Sequence, residues 1–372
     1  TSERVLAMET AEQSLVADTT MNLENLSKET GGEFIRGNDL RTPLRRELED
    51  ARSHWELTYT PADVREDGRF RSLRVAVSRP GVTVTARSGY YALPMLNGEQ
   101  IALFEYAPFV ALNAQPAPRE FEFHAAALRF RPGAMVQHEM VFEAPLREAA
   151  LVKDPGAKAK GVTAHLSFLA LLKDADGRVV TRVSRDLSYR APDEPGLRSQ
   201  VATHAAPFAA PPGRYTLESA VVDRNSGKAS TRRAALVVAS GAGLALSDLS
   251  LVQRLEPASG APDERDPLAI RTGRVIPEVA GTVHAGNDLG FYAMVYPDAR
   301  SAAPLAVVLE LLHEGQRVAS REYGPIDSAR GAQPVLASFP SRDLKAGQYE
   351  ARLTVRQGEL SRQQVLPVTL AR

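Results

Sequence analysis

Cysteine is absent from this chain of 372 residues. Its absence removes thiol nucleophiles, disulfide bonds and cysteine metal sites from consideration. A surplus of either charge is absent too, because 45 lysines and arginines balance 45 aspartates and glutamates. Without a net field, nothing in the charge of the chain points to nucleic acid or an anionic membrane as its partner.

Long apolar runs are also missing. No stretch approaches the roughly 18 apolar residues that span a bilayer. The first seven residues, Thr1 to Ala7, are not typical of a signal peptide, because no basic flank leads into an apolar segment. We therefore expect that export either does not occur or depends on a signal upstream of Thr1.

Catalytic motifs are the third absence. The chain has no His-Glu-x-x-His helix, no phosphate-binding glycine loop and no Gly-x-Ser-x-Gly turn. Its histidines are scattered singly, which is typical of surface or packed side chains rather than metal ligands; they are His54, His124, His138, His165, His204, His284 and His313. The sequence thus predicts no catalytic, cofactor-binding or metal-binding residue, no cofactor and no enzymatic activity.

One acidic segment resembles the start of a calcium loop. Asp174 and Asp176 precede Gly177, and two carboxylates before a glycine can begin such a loop. Arg178 and Val179 follow where further oxygen ligands would be needed. Because Asp-Gly is common in turns, a hairpin turn is the favoured interpretation. We expect no Mg²⁺ or Ca²⁺ binding tighter than roughly millimolar.

The residues up to Ala92 mix helical and strand patterns. A helix is predicted to end at Gly31-Gly32 and another to begin at Thr42-Pro43, with Leu44, Leu48 and Ala51 on one face. Strands are predicted at residues 33–36, 55–60, 70–78 and 82–88, the last two joined by a turn at Arg79-Pro80-Gly81. Helices alternating with strands are typical of an α/β sheet, but this segment supplies only part of one.

Within residues 22–92 several segments follow one another in a recognisable order. They are Leu23 to Gly32, Asn38-Asp39-Leu40, Leu57 to Pro61, Asp67 to Arg71, and Val82 to Tyr91. This order resembles the C-terminal portion of the von Willebrand factor type A-related domains of acidobacterial type. The resemblance implies a secreted or periplasmic protein and a partial α/β domain.

The family's metal-dependent adhesion site does not follow from this resemblance. That site requires Asp-x-Ser-x-Ser, and Asp186-Leu187-Ser188-Tyr189-Arg190 and Asp248-Leu249-Ser250-Leu251-Val252 both lack the final serine and lie outside the resembling segment. We therefore expect the site to be absent from this chain and the N-terminal part of the domain to lie on a portion not included in it.

The remaining residues are predicted to form two tandem immunoglobulin-like β-sandwiches. Leu171 to Val180 parallels Leu311 to Ala319, and Pro212 to Glu218 parallels Ala346 to Arg352. Similar spacing within the two copies indicates a duplicated module. Small residues at 240–243 mark the boundary, so the chain divides into a partial α/β segment (1–92), a first sandwich (93–239) and a second (240–372). The fold class is mainly β.

These features predict a non-enzymatic, extracytoplasmic protein-interaction or scaffold protein whose partner is another protein or a cell-surface component. Two alternatives stay open: a carbohydrate-binding or surface-adhesion module, and accessory domains of an enzyme whose catalytic part lies upstream. The carbohydrate alternative would use the densest aromatic cluster, which we interpret as core at a domain junction because buried aromatics are commoner. It comprises Tyr90, Tyr91, Phe104, Tyr106 and Phe109.

Overall fold

The computed structural model describes residues 23, 27, 34–35, 40–52, 55–82, 84–153, 161–257, 266–284, 286 and 288–371. Over these ranges the protein is mainly β, and nearly all strand pairs are antiparallel. Contacts divide the chain into two units, Thr1–Tyr106 and Ala107–Arg372. The sequence-based boundaries at residues 92 and 239 stay predictions.

The described part of the first unit includes the helix Arg41–Arg52 and two pairs of short strands. Helix α1 spans Arg41–Arg52 and begins where Thr42-Pro43 predicted a helix start. Leu23 and Ser27 are also helical, whereas the predicted stop at Gly31-Gly32 lies outside the described residues. The strands pair β1 with β2 and β3 with β4: β1 (Phe70–Ser72), β2 (Gly89–Tyr91), β3 (Met95–Leu96) and β4 (Glu99–Gln100).

Several strand predictions for this unit are wrong. Residues 55–60 contain no strand, and Phe34 and Ile35 are not in a strand either. The hairpin predicted over residues 70–88 pairs only three residues on each side, and one further bond runs from the Leu73 N–H to the Ser88 carbonyl. Apolar side chains on these segments are exposed: Trp55 by 89% and Leu57 by 73%. Alternation produces a strand only where neighbouring strands take the backbone bonds and a second layer covers the apolar face.

Helix α2, Leu103–Asn113, lies within residues 93–239, which were predicted to form only a β-sandwich. Glu105 accepts the N–H of Ala102 at 2.7 Å, as the acid of a capping box does. Ala107 and Ala111 pack against the β strands of the second unit. Their i, i+4 spacing is a helical signal that Pro108, between them, obscures in the sequence.

The first part of the second unit is a pair of sheets, here called the first sheet pair. One sheet has the order β10-β6-β5, with β5 (His124–Arg129), β6 (Val136–Pro145) and β10 (Val201–Ala210). In the other, β12, β11 and β8 are adjacent, and β8 also pairs with β7 and β9: β7 (Val152–Lys153), β8 (Val162–Lys173), β9 (Val179–Ala191), β11 (Gly213–Asp223) and β12 (Ala229–Val238). A short helix, α3 (Glu194–Arg198), precedes β10.

The second sheet pair repeats this plan. One sheet contains β13 (Ala245–Leu246), β14 (Ser250–Pro257), β15 (Ala269–Ile270), β16 (Gly273–Glu278), β18 (Leu289–Tyr296) and β21 (Gln333–Phe339). The other has the order β17-β23-β22-β19-β20, with β17 (Thr282–His284), β19 (Leu305–His313), β20 (Gln316–Ile326), β22 (Gly347–Gln357) and β23 (Leu360–Ala371). In each pair, alternate side chains of both sheets form one buried core.

The internal repeat read from the sequence corresponds to equal strand orders. The run β9-β8-β11-β12 in the first sheet pair matches β20-β19-β22-β23 in the second. The hairpin turn predicted at Asp174 to Gly177 is confirmed, and Gly177 has φ +79°. At the matching turn of the second copy, Glu314 and Gly315 have φ of 49° and 75°. Two consecutive residues of positive φ form the two-residue turn whose twist suits a hairpin.

The two copies of the repeat each contain a Gly-x-Tyr segment, Gly213 to Tyr215 and Gly347 to Tyr349, and both segments make the same hydrogen bond. The Tyr215 hydroxyl donates to the carbonyl of Pro211 at 2.9 Å, and the Tyr349 hydroxyl donates to the carbonyl of Lys345 at 2.6 Å. Each bond closes the loop that leads into the central strand, β11 or β22. The matching segments of the two copies therefore have the same local structure.

Removing these hydroxyls should cost stability unequally. Tyr349 is 4% exposed, so Tyr349→Phe should lower the free energy of unfolding by about 1 kcal/mol. Tyr215→Phe should cost less, because its hydrogen bond is exposed and water can replace it. Urea denaturation of the two variants tests this, and a larger loss for Tyr215→Phe would contradict it.

Candidate functional site

The two sheet pairs meet along the outer face of β5, β6 and β10. An apolar cluster joins Phe130 of the first pair to Leu268, Val275 and Tyr292 of the second, all at most 1% exposed. Partly buried apolar side chains pack against it: Leu128, Ala205, Val252, Ile270 and Met294. We call this contact region, with the polar groups around it, the junction. Burial of these side chains fixes the two sheet pairs against each other.

Polar contacts flank the apolar cluster. The Asp248 carboxylate accepts the N–H of Arg129 at 2.9 Å, and its own N–H donates to the Arg129 carbonyl at 2.8 Å. At the opposite side, Thr203 donates its hydroxyl to Gln253 at 3.1 Å. Hydrogen bonds at two separated points restrict rotation of one sheet pair on the other.

Glu139 lies inside the junction at 1% exposure, on the face of β6 that points away from the first core. Burial, and then the charge of Asp266, raises the pKa of Glu139 to about 8. Arg274 acts in the opposite direction, but it is already paired with Asp266 at 2.7 Å. The Oε2 atom of Glu139 has no hydrogen-bond partner among the described residues. Glu139 is therefore mostly protonated at pH 7.

Two further carboxyls, the buried Glu143 of the first sheet pair and the half-buried Glu278 of the second, lie at the junction. Glu143 accepts the N–H groups of Val279 at 2.8 Å and Ala280 at 3.3 Å, while Glu278 accepts the N–H of Gly281 at 2.9 Å. Burial, and then the charge of Glu143, raises the pKa of Glu278 to about 7. Burial also raises the pKa of Glu143. Both carboxyls therefore favour the protonated form more than a solvent-exposed glutamate does.

Two histidines, His138 on β6 and His204 on β10, lie on the opposite face of this sheet from the glutamates. The ring of His138 stacks on Phe208 at 5.0 Å, and burial lowers its pKa. Burial, then the charges of Arg185 and Arg274, lowers the pKa of His204 to about 4. Both rings are consequently neutral at pH 7 and add no charge that could compensate the carboxyls.

A cavity of about 230 Å³ opens beside the junction. It is lined by the end of β5 and the loop that follows, by the segment between the sheet pairs, by β13 and by the start of β23: Arg129, Phe130, Pro132, Ala239, Ser240, Gly241, Ala242, Leu244, Ala245, Leu246, Arg362, Gln363 and Gln364. The lining carries two arginines and no carboxylate. Its volume is below the roughly 300–1,000 Å³ of sites for whole small molecules, and it suits a side chain.

The edge of β23 next to this cavity is open. The Thr369 N–H donates to the carbonyl of Gly281, on the side of β23 away from β22. In an antiparallel pair every second residue points its backbone groups to the same side, so alternate residues before Thr369 also direct theirs away from β22. These are Pro367, Val365, Gln363 and Ser361. Strand β17 covers only the last three residues of β23. No described strand takes up the backbone groups of Ser361, Gln363 and Val365.

The turn predicted at Asp174-Ala175-Asp176-Gly177 forms as expected. The Asp174 carboxylate accepts the N–H groups of Asp176 at 3.0 Å and Arg178 at 2.9 Å. Its oxygen thus closes the hairpin between β8 and β9. Among the described residues no three or more histidines or acids are grouped as metal ligands would be.

The predicted aromatic cluster is divided in the structure. The ring centres of Tyr90 and Tyr59 are 6.5 Å apart. Those of Tyr91 and Phe70 are 5.2 Å apart, with the rings tilted by 66° to each other. Phe104, Tyr106 and Phe109 lie on α2 and are half-buried. Of the other histidines, His124 pairs with Glu122 at 3.1 Å, His165 with Asp186 at 3.0 Å, and His313 stacks on Tyr349.

No family model matches the chain, and no curated protein matches it. In the ranges that the structure describes, no helix is long and apolar enough to cross a membrane. The kinship of residues 22–92 with the von Willebrand factor type A-related domains stays a prediction.

Proposed function

We propose that this chain is a non-enzymatic, extracytoplasmic protein-interaction or scaffold protein of the von Willebrand factor A-related class. Its two sheet pairs would be immunoglobulin-like β-sandwiches that act as one docking platform. The observation that carries the proposal is the open edge of β23 beside the arginine-lined cavity. An open strand edge offers backbone donors and acceptors to another polypeptide.

The buried junction supports the scaffold part of this proposal. Apolar burial and hydrogen bonds at two points hold the sheet pairs together. A partner docked at β23 is then held at a defined position relative to both modules. A flexible linker would not provide this, because domain motion is the default where an interface is small and polar.

Carbohydrate binding is the second candidate, and it rests on Phe70 and Tyr91. These rings are 46% and 41% exposed and in contact. A sugar face stacks best on a flat aromatic surface, and rings tilted by 66° do not provide one. The protein-interaction proposal is therefore favoured.

Site-specific photo-crosslinking tests the proposal. A photoreactive amino acid at Gln363 should link to one partner polypeptide in extracytoplasmic extract of the source organism, whereas the same residue at exposed Val180 should not. Mass spectrometry identifies the partner, and binding of the purified partner to the intact protein completes the test. Equal labelling from both positions, or a glycan-array signal that Tyr91→Ala abolishes, would count against protein interaction.

A further inference from the structure

We infer that the open edge of β23 binds an extended peptide segment that carries an acidic side chain, the peptide adding one strand to the sheet and the acid entering the cavity. This inference rests on the proposed function and deepens it by assigning the chemistry of the partner. Three independent features of the second sheet pair support it: the backbone groups of the edge, the direction of its side chains and the charge of the cavity.

The backbone of β23 supplies the first feature. Ser361, Gln363 and Val365 direct their N–H and C=O groups outward, and no described strand pairs with them. The turn between β22 and β23 gives the same alternation independently. Gln357 and Leu360 close this two-residue turn and bond to each other, so every second residue from Leu360 bonds to β22 and the residues between them point outward. An added strand thus finds alternating donors and acceptors at the usual strand spacing.

The side chains of β23 supply the second feature. Leu366, Val368 and Leu370 face the core between the two sheets. Side chains alternate along a strand, so Gln364 and Arg362 lie on the same face, where the core gives way to the cavity. A strand added at the edge would likewise direct alternate side chains between the sheets. One of them would reach the cavity.

The charge of the cavity supplies the third feature and selects the peptide. Arg362 donates to the carbonyl of Ser361 and has no carboxylate partner among the described residues. The nearby acids are already engaged: Asp248 with Arg129 at 3.4 Å and Asp298 with Arg300 at 3.1 Å. The buried Nε of Arg129 also has no hydrogen-bond partner among the described residues. In the described part of the chain, Arg362 is thus the arginine of the lining without a carboxylate partner, and an aspartate or glutamate of the peptide would complement it.

The sequence shows how the edge can be tested without unfolding the sheet. Pro367 already occupies an outward-facing position of β23, so proline is tolerated at that alternation. Gln363→Pro removes one outward N–H and leaves the bonds to β22 intact. Gln363→Ala is its matched control, because it shortens the same side chain and keeps the N–H.

The binding experiment uses the full chain and a labelled peptide of about ten residues, alternating threonine and valine with one central glutamate. Fluorescence polarisation should detect saturable binding. Gln363→Pro should weaken it at least about tenfold, as expected for loss of a main-chain hydrogen bond and steric exclusion of the strand. Gln363→Ala should change it less than about threefold. A far-ultraviolet circular dichroism spectrum and a melting temperature equal to those of the wild type confirm that each variant is folded.

Charge reversal tests the acid. Arg362→Glu should weaken the glutamate peptide by about tenfold or more and favour the peptide with lysine in its place. Arg356→Glu is the matched control, since Arg356 lies on neighbouring β22, is exposed and belongs to the opposite face of the sheet. Its effect should stay below about threefold.

Two sets of results would overturn the inference. If Gln363→Pro leaves peptide affinity unchanged, the edge is not the docking site; if the lysine peptide binds as well as the glutamate peptide, the acidic partner is wrong. Absence of peptide binding, together with a crosslinked partner captured from another surface, would overturn this inference and leave the proposed function intact. Absence of both would overturn the two together.

Discussion

Replacing Glu139 with glutamine should stabilise the protein at pH 8 by about 2–4 kcal/mol. Glu139 is 1% exposed, and burial raises its pKa from 4.5 to about 8. The folded state therefore binds this proton more tightly than the unfolded chain. The resulting stability is present below pH 4.5 and is lost as the pH rises towards 8. Glutamine stays neutral throughout, so its advantage grows over that same range.

Denaturant unfolding at pH 5 and pH 8 measures this difference. At pH 5 the variant and the wild type should agree within about 1 kcal/mol. Glu139 is protonated in the folded state at this pH, and pH 5 lies only slightly above its ordinary pKa of 4.5, so deprotonation favours the unfolded chain only weakly. Glu310→Gln is the control: Glu310 pairs with Arg317 at 3.2 Å near the surface, and its replacement should change stability by less than about 1 kcal/mol at either pH. An equal effect of Glu139→Gln at both pH values would show that Glu139 does not titrate between them.

Some pH dependence should remain in the Glu139→Gln protein. Glu278, with its pKa raised to about 7, and Glu143 both favour their protonated forms in the folded state. Their contribution has the same sign as that of Glu139, so stability still falls as the pH rises through neutrality. The junction is consequently the part of the second unit that we expect to weaken first in alkaline solution.

The mainly β character and the repeat could be predicted from sequence because both depend on neighbours along the chain. Alternation within β8, β19 and β22, glycine at the hairpin turns and the two Gly-x-Tyr segments are all local signals. The predictions from these signals are correct because a second sheet buries the apolar face of these strands. In residues 55–60 the same alternation has no partner strand, and the prediction is wrong.

The junction could not be predicted in this way. Along β6, Met140 and Phe142 alternate with Glu139 and Glu143, so the glutamates have the pattern of a solvent-facing side. Only the second sheet pair, more than a hundred residues further along the chain, covers that side. The open edge of β23 depends on strand order, which one sequence does not reveal.

A core substitution provides the strongest test of whether the two sheet pairs act as one platform. Phe168 is fully buried on the central strand β8, and its ring lies 5.2 Å from Phe142 of the facing sheet. Phe168→Ala should lower the free energy of unfolding by about 3–5 kcal/mol, through lost apolar burial and the cavity left behind. Val180→Ala, at a position 42% exposed on the adjacent β9, should change it by less than about 0.5 kcal/mol.

The second sheet pair offers the reciprocal variant, Phe291→Ala, whose ring is 1% exposed and contacts Phe339 at 6.0 Å. If the junction couples the sheet pairs, each variant should lower one shared calorimetric transition of the second unit. Tryptophan fluorescence would not report this, because the single tryptophan, Trp55, is 89% exposed and belongs to the first unit. Hydrogen exchange followed by mass spectrometry resolves the halves: Phe168→Ala should increase exchange in β19 and β22 as well as in β8. Exchange that increases in the first sheet pair alone would mean that the junction joins the modules without coupling their stability, and the single-platform proposal would fail.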